Sequence, residues 1–89
     1  MSVKAAITRK LGEALAPLSL SVVDDSERHH GHAGWREGGE THFSVNVVSA
    51  AFAGKSRVDR HRMVNALLAE ELAGRVHALA ITAKAPGEP

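Results

Sequence analysis

The chain has 89 residues, 11 lysines and arginines against 10 aspartates and glutamates, six histidines and no cysteine. That length allows one domain, and a net charge of +1 excludes nucleic-acid binding driven by the overall field, leaving only a local patch. The missing thiols exclude disulfides, a thiol nucleophile and a cysteinyl metal site of the chain's own; no run approaches the ~20 apolar residues of a membrane span.

Val3, Ile7, Leu11 and Leu15 recur every four residues and predict a first helix with one apolar stripe, ended by Pro17. Leu18, Leu20 and Val22 then alternate with Ser19, Ser21 and Val23, the pattern of a half-buried strand. Residues 24–39 carry four glycines and little apolar content and read as a long loop, a kind of segment that is often functional. From Thr41 to Ser49 alternation resumes, with Phe43, Val45 and Val47 on one face and His42, Ser44 and Asn46 on the other; the two strands should form an antiparallel hairpin. Short helical turns are expected around Phe52. Ser56 can cap the next helix in a capping box with Asp59, and Val64, Leu67, Leu68 and Leu72 give that helix its apolar face, with Gly74 as its stop. Arg60 and His61 fall on the borders of that face and Arg62 points away from it. Val76 to Ala83 reads as the last strand, with His77 opening it on the side of Leu79 and Ile81. The order is α-β-β-α-β, an α+β domain over residues 1–85 in which a three-stranded mixed sheet carries its helices on one face. Residues 86–89 are expected to be a flexible, frayed tail.

Imidazole is the commonest metal ligand, and this chain offers imidazole without sulfur. Glu27-Arg28-His29-His30-Gly31-His32 is its densest cluster. It is either a solvated polar loop or a donor set, and a zinc or nickel site from His29, His30 and His32 would need Asp24 or Glu27 as a fourth ligand. His77 is either a ligand or a core-edge histidine held by a backbone hydrogen bond. His42 reads as half-exposed and structural. Arg60-His61-Arg62 either contacts phosphate or forms salt bridges to Glu70, Glu71 or the first helix. Gly31-His32-Ala33-Gly34 matches the GxxG loop of KH domains in letters only, because it lies between strands rather than helices. Asp24 and Asp25 are adjacent and face opposite ways, a poor acid/base pair. With one Trp and no Tyr there is no aromatic platform for bases, and Trp35 is either an exposed docking anchor or a cover for the sheet edge.

Asp25-Ser26, Gly31-His32-Ala33, Glu40-Thr41-His42-Phe43, Val48-Ser49, Phe52-Ala53-Gly54-Lys55-Ser56, Arg60-His61-Arg62, Glu70-Glu71-Leu72 and Val76-His77-Ala78-Leu79 follow one another in an order and spacing that resembles the BolA family. The resemblance runs from about Lys10 to Lys84. It implies a class II KH-like fold without the nucleic-acid-clamping loop, and a non-enzymatic adaptor. Such adaptors pair with monothiol glutaredoxins of the CGFS type as heterodimers and share a 2Fe–2S cluster, to which the glutaredoxin and glutathione supply sulfur. The family's histidine at the start of the last strand falls on His77, and its loop ligand on His32, with His29 and His30 close by; this is the histidine-loop pattern. Alone, the chain is expected to hold no cluster and to be a monomer or weak homodimer. The resemblance equally implies a DNA-binding regulator that uses residues 52–68, a helix-turn-helix-like surface with Lys55, Arg57, Arg60 and Arg62 as phosphate contacts. Cluster and DNA are expected to use neighbouring surfaces and to exclude one another. No membrane partner is expected, and the compartment is the cytoplasm, or an organelle matrix where a targeting segment has been removed.

Overall fold

The computed structural model describes residues 2–25 and 41–88. In chain order it has α1 (Val3–Leu15), β1 (Ser19–Asp24), β2 (His42–Val48), a 3₁₀ turn (Ala50–Phe52), α2 (Arg57–Leu67), α3 (Ala69–Ala73) and β3 (Ala78–Lys84). Ser2 starts α1 by accepting the Ala5 N–H at 3.0 Å on its hydroxyl. Pro17 stops it: the residue before a proline is pushed out of the right-handed helical region, and Ala16 turns to φ 42°, ψ 57°. Ser56 caps α2 by accepting the Asp59 N–H at 3.1 Å, while the Asp59 carboxylate lies 3.8 Å from Arg62. The expected single helix up to Gly74 is divided at Leu68, which leaves helical geometry at φ −107°, ψ 21° and fills the core at 1% exposure.

Strand β2 is central. It pairs antiparallel with β1, from Ser19 opposite Val48 to Asp24 opposite Phe43, and parallel with β3, from His42 opposite Ala78 to Val48 opposite Lys84. The sheet is therefore mixed, as expected. Phe43, Val45 and Val47 point to one face and are at most 2% exposed. There they join Ile7, Leu11 and Leu15 of α1, Phe52 of the turn, and Val64 and Leu68. Burying each such side chain is worth roughly 1.5–3 kcal/mol over leaving it in water. On the other face Ser19, Ser21, Asn46, Ala78, Ala80 and Thr82 are exposed, so the helices lie on one side. Leu18 departs from the expected β1 stripe: it precedes the strand and is 75% exposed.

Two ionic clasps close the helical layer. Lys10 of α1 bonds both carboxylate oxygens of Glu71 at 2.9 and 2.8 Å and lies 3.8 Å from Glu70. Glu71 is therefore the partner of Lys10 and not, as the sequence suggested, of the Arg60-His61-Arg62 run. Arg60 instead pairs with Glu88 at 2.6 and 2.8 Å. The expectation of a frayed tail misses these contacts. Ala85 is buried, its N–H donates to the Glu88 carboxylate at 2.9 Å, and the Glu88 N–H returns to the Ala85 carbonyl at 3.2 Å. Among the described residues no helix is long and apolar enough to cross a membrane.

Candidate functional site

Antiparallel β1–β2 and parallel β2–β3 pairing bring three chain ends to one edge of the sheet: the end of β1 and the starts of β2 and β3. The Asp25 N–H donates to the His42 carbonyl at 2.7 Å, and the Ser44 hydroxyl donates to the Asp25 carboxylate. Thr41 is fully buried, and its carbonyl accepts from both the His77 N–H at 2.7 Å and the Ala78 N–H at 3.2 Å. His77 thus stands immediately before β3, fixed through its backbone, while its side chain is exposed. It has the parity of Leu79 and Ile81 but is not a core-edge residue. The His42 ring lies 6.3 Å from the His77 ring, centroid to centroid, tilted by 32°, and its Nδ1 is 2.9 Å from the Thr41 hydroxyl. Two imidazoles thus stand close together at this edge. Among the described residues no three histidines, aspartates or glutamates come together in a metal-holding group. His29, His30 and His32, with Glu27 and Trp35, lie outside the described residues, as does any site built on them.

A second feature lies at the opposite end of β3. A groove of about 580 Å³ runs between the edge of β3 and the start of α2, lined by Lys55, Arg57, Arg60, His61, Lys84 and Glu88 with Ile81, Thr82 and Ala83. Of the four basic residues put forward from the sequence, Lys55, Arg57 and Arg60 meet here. Arg62 does not: its side chain is 77% exposed and faces Asp59. Arg60 is only 12% exposed along its side chain and spends every arm of its fork, with Nε donating to the Lys55 carbonyl at 3.0 Å and Nη1 to the Ala83 carbonyl at 3.1 Å besides the Glu88 carboxylate. These charge-assisted bonds hold the guanidinium pKa above its ordinary value and, with the Ala85 N–H, lower the Glu88 carboxyl to about 2. Sequence reasoning missed Lys84 and Glu88 in this role. Lys84 and Glu88 sit in and just after the last strand and carry no periodic signal; only the tertiary return of the chain brings them to α2.

From His77 to Ala83 is six residues of extended chain, about 20 Å at a strand's rise. His77 and the groove therefore lie towards opposite ends of β3.

A profile of the family described as BolA-like protein matches residues 11–88. The chain belongs to the BolA-like family. It is 54% identical over 86 residues to BolA-like protein 1 of Homo sapiens, covering 97% of this chain and 60% of that protein. It is 46% identical over 81 residues to the DNA-binding transcriptional regulator BolA of Escherichia coli, covering 91% of this chain and 73% of that one. The chain spans just 23% of the length of the SufE-like protein 1 of Arabidopsis thaliana that it matches. Among solved structures, the BolA domain of SufE1 from Arabidopsis thaliana superposes with a TM-score of 0.88 at 44% identity, covering all of this chain and 98% of that one. The α+β architecture and mixed three-stranded sheet are thus those of BolA domains, in agreement with the reading from sequence.

Proposed function

We propose that this BolA-like protein is a non-enzymatic partner of a monothiol glutaredoxin, with which it shares a 2Fe–2S cluster in iron–sulfur trafficking or iron homeostasis. One observation carries the reading. An exposed imidazole, His77, is anchored by the Thr41 carbonyl at the sheet edge where the end of β1 and the starts of β2 and β3 meet, in a chain without a single cysteine. His32 stands seven residues after Asp25, and an extended chain reaches at most ~3.3–3.6 Å per residue. His77 and His32 are the nitrogen ligands of this reading, with His29 and His30 as alternates for the second; glutaredoxin and glutathione are the sulfur donors. Imidazole in place of thiolate removes negative charge from such a cluster and raises its potential, as in Rieske centres, and makes its binding pH-dependent, since the ligand must be deprotonated. The role of His77 is to present a ring nitrogen at a fixed backbone position, and that of Thr41 is to fix it. The test is amide mapping. Titration with an apo monothiol glutaredoxin should perturb His42, His77 and Ala78 at one-to-one stoichiometry; perturbation confined to the α1 side, or no complex by gel filtration, would refute the assignment.

A second reading, DNA binding, is favoured by the basic groove at the other end of β3 and by the similarity to the DNA-binding transcriptional regulator of Escherichia coli. Its contacts are Lys55, Arg57 and Lys84, with Arg60 available only when Glu88 releases it; Arg62, outside the groove, would reach phosphate independently. Binding should be weak at physiological salt. Neutralising Lys55 and Arg57 together should reduce the slope of log K against log salt by about 2; an unchanged slope in a duplex-binding assay would remove this reading.

A further inference from the structure

The groove between β3 and α2 gathers four permanent cations, Lys55, Arg57, Arg60 and Lys84, beside His61. Lysine and arginine side chains brought together repel one another unless an anion sits among them, and the chain supplies one. The Glu88 carboxylate is seated on both terminal nitrogens of Arg60, at 2.6 and 2.8 Å, in the fork geometry by which arginine also takes phosphate. The seat has a further arm, the Ala85 N–H at 2.9 Å. One carboxylate balances one of the four cations, so the groove keeps a surplus of positive charge with Glu88 in place. Glu88 itself is held by a short hairpin of chain after β3, Ala85 to Glu88, and 38% of its side chain remains exposed, so it can leave without disturbing the sheet. The Arg60 bonds to the Ala83 and Lys55 carbonyls would keep the guanidinium aimed after its departure.

We propose that this groove is a phosphate-binding site whose resident occupant is the chain's own Glu88, and that Glu88 acts as a built-in competitor which an incoming phosphate group must displace from Arg60. The proposal deepens the anion-binding reading given above and rests on it. The competitor is ionised throughout the physiological range, because its carboxyl is held near 2. Titration of Glu88 itself therefore does not set occupancy in that range.

The test is a titration of the full isotope-labelled chain with inorganic pyrophosphate, repeated with a fluorescein-labelled DNA duplex read by anisotropy, in wild type, Glu88→Gln and the double variant Lys55→Gln/Lys84→Gln. Glu88→Gln retains a polar group that can still cap Ala85 but removes the competing charge. It should bind pyrophosphate about fivefold more tightly than wild type, the scale set by one well-formed exposed ion pair. The shifts should centre on Lys55, Arg60, Lys84 and Ala85, and the double variant should lose most of the binding. A parallel gain for the duplex assigns the phosphate to nucleic acid; a gain for pyrophosphate alone assigns it to small phosphorylated ligands. Equal affinity of wild type and Glu88→Gln overturns the competitor role while leaving the anion groove intact. Pyrophosphate binding that survives in the double variant overturns its location. Failure of both probes in every variant removes the groove and the DNA reading together.

Discussion

Ala16 sits at φ 42°, a left-handed conformation that costs a non-glycine residue roughly 1–2 kcal/mol. Ala16→Gly should relieve part of this and raise the unfolding free energy by about 0.5–1 kcal/mol in urea denaturation; no gain would mean that Pro17 alone sets the turn. In the sequence Ser49 ends an alternating run and belongs to the Val48-Ser49 phrase of the family pattern, and neither shows what its hydroxyl does. In the fold it is fully buried, and its hydroxyl donates to the Leu15 carbonyl at 2.6 Å and accepts from the Ala51 N–H at 3.1 Å. It thereby satisfies an orphan carbonyl at the end of α1 and starts the next turn. Ser49→Ala should cost about 1–3 kcal/mol, the penalty of leaving buried polar groups unpaired, measured as a shift of the urea midpoint at unchanged slope. The roles of Thr41 and Ser49 are illegible in the chain because a threonine and a serine beside a strand have the same letters whether they face water or lock a helix end.

At the scale of elements, the helical layer is held to itself by charge as well as by the apolar core. Burial opposes the charge on Glu71, but its bonds to Lys10 outweigh that and hold its carboxyl below the usual value. A lowered carboxyl contributes stability at pH values above its ordinary pKa and loses it as pH falls through the lowered one. Lys10→Met should therefore destabilise the protein by about 1–3 kcal/mol at pH 7, with the difference from wild type shrinking below the ordinary carboxyl range near 4.5. The same reasoning applies to the tail. The Glu88 carboxyl falls from 4.5 to about 2, so any advantage of wild type over Glu88→Gln is complete above about 4.5 and disappears as pH falls towards 2. Thermal unfolding of the two proteins across that range checks it, and a difference that does not shrink between pH 4.5 and pH 2 would contradict the ion pair. The helix and strand order was legible because period and composition agree in α1, β1 and β2. The break at Leu68 was not, since Leu67, Leu68 and Leu72 satisfy one continuous helical stripe equally well.

For the whole molecule, the sheet separates two chemistries. Histidine stands where three chain ends meet, and basic residues gather about 20 Å along β3. Pyrophosphate titration should accordingly leave the amides of His42 and His77 unmoved, and coupled shifts would contradict the separation. His77 could be singled out in the sequence because its position in the BolA pattern is specific, and the fold adds the reason its backbone is fixed. The acidic partner of Arg60 could not, because the pairing spans 28 residues and joins a helix to a tail that looked unstructured. His77 is exposed, so His77→Ala should change stability by no more than about 0.5 kcal/mol; any effect on function is then not an effect on folding. The decisive measurement follows from this. Wild type and His77→Ala are each titrated into a 2Fe–2S-loaded monothiol glutaredoxin and followed by visible circular dichroism. A new spectrum at one-to-one stoichiometry with wild type, absent with a fully folded His77→Ala, is the result predicted; identical spectra for the two proteins, or none for either, would contradict the shared-cluster role.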